Sequence, residues 1–250
     1  MLAKWKVKAI RVGRIDGALK GVLHFGGDPT PVQLPMWVVA ATEGVHKVLI
    51  DTGIDELEAV VNGPEPLAHQ NPEENTLVAL KDAMGWTADD VDTVINTHLH
   101  FDHCGCNQYF KNAKLYVQRK EWQAAHNPVP SMKHLYYEPY FSKKVIPYFQ
   151  WKFLDGETEI YPGLMVIPTP GHTYGHQSVL LDTDQGTLCV AGDVVSCTDN
   201  LSENMETNIV LDAAMVYQSF ASIREKADRI IPGHEFRISD RSEMDFPEIV

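Results

Sequence analysis

In Thr97-His98-Leu99-His100-Phe101-Asp102-His103, four side chains able to bind a metal fall within six consecutive residues. They follow the apolar run Val91-Asp92-Thr93-Val94-Ile95-Asn96, which reads as a buried strand. A loop leaving a strand end is where a rigid scaffold presents chemistry. In near-extended backbone His98 and His100 point to the same side, because side chains alternate with period two, so they can bind one ion together. Asp102 and His103 are adjacent and diverge, which directs them to a second ion. Imidazole nitrogens mixed with carboxylate oxygens suit zinc first, then manganese, iron or cobalt. A histidine-rich surface loop is the plain alternative, and the placement directly after an apolar strand argues against it.

On these residues the sequence resembles the metallo-β-lactamase superfamily, whose signature is His-X-His-X-Asp-His after a strand. Further residues stand in the family's order. They are His172 in Thr169-Pro170-Gly171-His172, Asp193 at the end of Thr187-Leu188-Cys189-Val190-Ala191-Gly192-Asp193, and His234 in Ile230-Ile231-Pro232-Gly233-His234. The resemblance runs from Asp51-Thr52-Gly53 to the end of the chain. It implies an α/β fold, the four-layer αβ/βα sandwich, as a single domain over residues 1–250. It also implies two zinc ions per chain. His98, His100 and His172 would bind one, Asp102, His103 and His234 the other, and Asp193 would bridge them. Asp51 looks like the family's aspartate that steadies the ligand loop by hydrogen bonds.

Such a centre activates water at neutral pH and polarises a carbonyl oxygen. Within the superfamily the sequence is most similar to N-acyl-homoserine lactonases and pyridoxolactonases, through the ligand motif, Gly175-His176-Gln177-Ser178 and the ending Phe246-Pro247-Glu248-Ile249. That likeness implies a dinuclear zinc hydrolase that opens a small lactone by attack of metal-bound hydroxide, with Asp102 and Asp193 as catalytic carboxylates. Hydrolysis of another small ester, thioester or amide is the alternative, as is a mononuclear iron oxidoreductase of the persulfide-dioxygenase type. One departure stands out. Those lactonases carry a tyrosine three residues after the bridging aspartate, and here Asp193-Val194-Val195-Ser196 places Ser196 there. Its hydroxyl is too short for that role. Tyr174, Tyr136 and Tyr137 are the candidate replacements, with ordinary packing as the competing reading. His176 is expected to be structural.

The whole chain narrows the partners. A net charge of -13 over 250 residues disfavours nucleic acid and anionic membranes, leaving a small-molecule substrate. No apolar stretch approaches the length of a membrane span, and the first residues lack a signal-peptide pattern. Cys104, Cys106, Cys189 and Cys197 do not form a disulfide framework, so reduced thiols in the cytoplasm are expected. Cys104 and Cys106 are expected to pack rather than bind metal.

The elements that position the ligands follow from periodicity. Strands are predicted at 6–12, 36–40, 47–51, 91–96 and 114–117, with a turn and strand over 159–167. A hairpin joins 178–182 to 187–190 around Asp184-Gln185-Gly186. Helices are predicted at 77–84, 119–126 and 211–225. Residues 63–72 and 127–137 resist regular assignment and read as walls of a substrate pocket, as does the aromatic-rich span 141–153.

Overall fold

Alternation along the strands decides the architecture. The computed structural model describes residues 4–18, 22–23, 31–55, 68–144, 146–238 and 246–249. Its first sheet contains β1 (Lys6–Ala18), β2 (Pro31–Thr42), β3 (Lys47–Ile50), β4 (Ala68–His69), β5 (Thr93–Ile95), β6 (Lys114–Gln118) and β7 (Gln150–Leu154). They lie in the order β4-β1-β2-β3-β5-β6-β7. The second sheet contains β8 (Thr158–Tyr161), β9 (Leu164–Pro168), β10 (Gln177–Thr183), β11 (Gly186–Gly192) and β12 (Arg229–Pro232), in the order β12-β11-β10-β9-β8. The helices are α1 (Thr76–Met84), α2 (Phe101–Cys104), α3 (Arg119–His126), α4 (Thr198–Ser202) and α5 (Ala213–Lys226).

Val7 and Ala9 of β1, Val179 and Leu181 of β10, and Leu188 and Val190 of β11 share the core between the sheets. Their neighbours one residue along face outward. Ile10 and Val12 pack with Leu80 of α1. Leu180, Cys189 and Ala191 pack with Val216, Phe220 and Ile223 of α5. Each sheet thus buries both faces, one against the other sheet and one against helices, which gives the four-layer αβ/βα sandwich. Among the described residues no helix is long and apolar enough to cross a membrane.

Several elements differ from the sequence reading. β1 continues past Val12 through a register shift between Arg11 and Arg14. Gly13 sits in that bulge with φ +140, where a Cβ would meet the Met36 side chain and the His69 carbonyl. A bulge lets a strand continue where its alternation breaks. β7 was not predicted; it pairs in parallel with β6, Leu115 opposite Trp151. Its aromatic residues read as pocket wall, but Trp151 and Phe153 pack against the first core. The last helix starts at Ala213 because the Asp212 side chain accepts the Met215 N–H as its cap. Of the stretch 63–72, residues 63–67 lie outside the described residues, while Ala68–His69 forms edge strand β4 beside β1.

β3 and β5 run parallel, as do β11 and β12. Asp51, the 97–103 loop, Asp193 and His234 follow these four strands directly. Parallel strands therefore deliver the candidate residues to one edge of the sandwich.

Candidate metal centre

Asp51 organises the first ligand loop. It holds the left-handed backbone conformation at φ +57, rare for a residue with a side chain. Its Oδ1 accepts the Thr97 N–H at 2.7 Å, and its Oδ2 accepts the Thr97 hydroxyl at 2.7 Å and the His103 Nδ1–H at 2.8 Å. Both ends of the loop are thereby tied to one buried carboxylate.

The fold gathers the seven residues into two groups. The ligand atoms of His98, His100 and His172 lie within 4.8 Å of one another, as do those of Asp102, His103, Asp193 and His234. In the first group His100 Nδ1 is 3.0 Å from His98 Nε2 and 3.1 Å from His172 Nε2. In the second, Asp193 Oδ1 is 3.1 Å from His103 Nε2, and Asp193 Oδ2 is 3.1 Å from His234 Nε2. Asp102 Oδ2 stands 3.5 Å from His103 Nε2 and 3.7 Å from His234 Nε2. Asp193 Oδ2 also reaches within 3.6 Å of His172 Nε2, so this carboxylate faces both groups.

The outward nitrogens set the tautomers. His172 Nδ1 donates to the Ile209 carbonyl at 2.7 Å, and His234 Nδ1 to the Pro35 carbonyl at 2.9 Å. Thr97 spends its hydroxyl proton on Asp51, so its oxygen accepts from His98 Nδ1 at 3.1 Å. With His103 bound to Asp51, four imidazoles have Nδ1–H committed to the protein, which leaves Nε2 turned inward as the atom that would ligate. His100 is reversed, with Nδ1 inward. Orienting metal-binding histidines through the other ring nitrogen is the usual device.

A divalent cation fits this donor set. His103 Nε2 and Asp193 Oδ1 are buried and face each other, yet neither has a hydrogen-bond partner among the described residues. Buried polar atoms are rarely left so. Burial and neighbouring histidines hold His98 and His100 well below the usual imidazole range, and burial lowers His172. These three stay neutral, as metal ligands must. Burial opposes charge on His103 and His234, but nearby carboxylates outweigh it. Among the carboxylates Asp193 does most to hold His103 well above the usual range, and it lifts His234 to about 9. Burial works against ionised Asp193, and the charges of His234 and His103 overcome it.

Residues named from sequence take several places. Ser196 is buried, and its hydroxyl turns back to the Asp193 carbonyl at 3.4 Å. Tyr136 lies edge-on over His100 with ring centroids 4.7 Å apart, but its phenol donates to Glu121 at 3.1 Å. The 127–137 stretch thus does reach the candidate centre. Tyr137 packs on Tyr140, and Tyr174 is exposed beside Lys120 and Met215. His176 accepts the Asp193 N–H through Nε2 at 3.1 Å, and its other nitrogen contacts Thr169 at 3.0 Å. Burial lowers His176 to about 3, so it is a neutral structural imidazole. Cys104 and Cys106 are buried thiols that donate to the carbonyls of Leu99 and Ile54, away from the ligand atoms. His46, His69 and His126 pair with Glu43, Asp16 and the Trp122 carbonyl, and His24 lies outside the described residues.

Two buried carboxylates, Glu235 and Glu121, received no role from the sequence. Glu235 accepts the Thr198 N–H and hydroxyl at 2.8 and 2.6 Å, pinning the segment after His234 to the start of α4. Glu121, on α3, touches both ligand-bearing loops. Neither carries a local signal, since each is one acidic residue among many in an acidic chain.

Fold and centre together define the class: the chain belongs to the metallo-beta-lactamase superfamily, whose family model matches residues 29–234. It is 29% identical over 231 residues, 88% of each chain, to the N-acyl homoserine lactonase AiiA of Bacillus thuringiensis subsp. kurstaki. Its fold superposes on a solved N-acyl homoserine lactone hydrolase with the product N-hexanoyl-L-homoserine bound at the catalytic metal centre. The TM-score is 0.80 at 26% identity, covering 94% of this chain and 95% of that one. A quorum-quenching N-acyl homoserine lactone hydrolase superposes with a TM-score of 0.81 at 26% identity, over 99% of each chain.

Proposed function

We propose that this chain, as a single domain, is a dinuclear zinc hydrolase that opens lactones, with N-acyl-homoserine lactones as its substrate class. The observation that carries the reading is Asp193, whose carboxylate faces a three-histidine group on one side and His103 and His234 on the other. The relatives support the substrate class, since the Bacillus thuringiensis protein is an N-acyl homoserine lactonase. A structural neighbour carries the ring-opened product at its metal centre.

When bound, two divalent cations supply Lewis acidity, which lowers the pKa of water and polarises an ester carbonyl. His98, His100 and His172 would hold one, and Asp102, His103 and His234 the other, with Asp193 shared. Ring opening needs a proton on the departing alkoxide. We assign Asp102 and Asp193 to the catalytic centre as the carboxylates that take a proton from water and return it to that oxygen. Ser196 has no part in this, because its hydroxyl is committed to the Asp193 carbonyl.

The test measures acid release from N-hexanoyl-homoserine lactone, a phenyl ester and a thioester, with metal content determined on the same preparation. Lactone turnover with two zinc ions per chain is expected. A loaded protein that cleaves only the ester or thioester would move the substrate class. One iron per chain with oxygen uptake would replace hydrolysis with the oxidoreductase reading.

A further inference from the structure

Glu121 is fully buried on α3 and stands outside the seven candidate ligands. Its Oε1 accepts the Leu99 N–H at 3.1 Å and the Tyr136 hydroxyl at 3.1 Å. Its Oε2 accepts the Thr173 hydroxyl at 2.5 Å and the Gly175 N–H at 3.3 Å. Leu99 separates His98 from His100, and Thr173 follows His172. One carboxylate therefore grips both segments that carry the three-histidine group. The approach is close: a Cβ on Gly175 would lie 1.9 Å from the Glu121 backbone nitrogen. Asp51 likewise holds Thr97 and His103, the two ends of the first ligand loop.

We propose that Glu121 is the positioning residue of the His98–His100–His172 group, setting the affinity of the ion held there and coupling it to the Tyr136 loop. The inference rests on the two-ion reading above. Four donors converge on two oxygens, and two of them are backbone N–H groups that cannot reverse into acceptors. Glutamine keeps the volume of Glu121 but places an NH2 group against either Leu99 N–H or Gly175 N–H. The Tyr136 and Thr173 hydroxyls can rotate to accept; the amides cannot. A buried donor facing a donor disrupts the segment it belongs to. Those segments hold His98, His100 and His172.

The experiment loads the full chain with zinc and measures the two dissociation constants by competition with a chromophoric chelator, alongside thermal melting. In Glu121→Gln one ion should bind at least tenfold more weakly while the other stays within twofold. Thr173→Val, which removes one donor and keeps the carboxylate, should weaken the same single ion by a smaller factor. It also serves as the readout if Glu121→Gln does not fold. Equal weakening of both ions in either folded variant would mark a general packing role and overturn the proposal. So would two unchanged constants. Wild-type protein that binds no zinc removes the two-ion reading itself, whereas two ions in wild type with unaltered variants removes only the role of Glu121.

Discussion

Ser196 Oγ donates to the carbonyl of Asp193, three residues earlier, across 3.4 Å. The hydroxyl at this position therefore closes a local turn after β11. Ser196→Ala should leave kcat/KM on the preferred lactone within about twofold, since transition-state stabilisation of one kcal/mol or more is already a several-fold rate effect. Steady-state kinetics check this, and a loss of tenfold or greater would show that Ser196 meets substrate or water.

Tyr136 spends its phenol on Glu121, so Tyr136→Phe should act on stability more than on chemistry. Losing a hydrogen bond to a buried carboxylate costs about 1.5–3 kcal/mol. Urea denaturation should show that loss, with kcat reduced less than about threefold because the ring still covers His100. A tenfold fall in kcat at unchanged stability would instead give the phenol a role at the substrate carbonyl.

Asp193→Ala removes the carboxylate that faces both groups. Elemental analysis of the zinc-reconstituted variant should give about one ion per chain or fewer, against about two in the parent, and hydrolysis should fall to background. The circular-dichroism spectrum should stay native, because Asp193 follows β11 and contributes nothing to its ladder. Full activity with two ions retained would show that another group forms the bridge.

Metal loading should release protons at pH 7.5. In the metal-free protein His234 titrates at about 9 and His103 is also raised, so both are charged at that pH. Their Nε2 atoms must lose those protons to ligate, so zinc binding should acidify the solution. A dye-based proton assay during zinc titration would measure them. The sign for stability is the reverse. A raised histidine contributes fully below about pH 6.5, its ordinary value, and the contribution fades as pH rises through about 9. Metal-free protein should therefore melt lower at pH 9.5 than at 6.5, with the gap narrowed by bound zinc.

Gly175→Ala should be costly, because Gly175 is buried against α3. Its Cβ would strike the backbone nitrogen and Cα of Glu121, neither of which is a flexible side-chain end. Overpacking of this kind costs about 1–3 kcal/mol. A melting temperature unchanged within one degree would show that the loop can move away from α3.

Residue order alone made much of the molecule legible. His98, His100, Asp102 and His103 are local in sequence, and a strand followed by such a cluster advertises itself. Helix α3 was readable to its ends, Arg119 and His126. Two short apolar runs flanking the turn residues Asp184-Gln185-Gly186 gave the hairpin of β10 and β11, since such a turn brings adjacent strands together whatever surrounds them. Tertiary structure decided what depends on residues far apart in the chain. Parallel pairing of β3 with β5 brings Asp51 under Thr97 and His103, and pairing of β11 with β12 sets Asp193 beside His234. Whether Tyr136 offers its phenol to a substrate or to Glu121, and whether Glu121 grips two loops or faces solvent, are questions of position across 15 to 54 residues of chain. No local preference encodes them. They are fixed only when burial strips water from these groups and leaves each donor to find a protein acceptor.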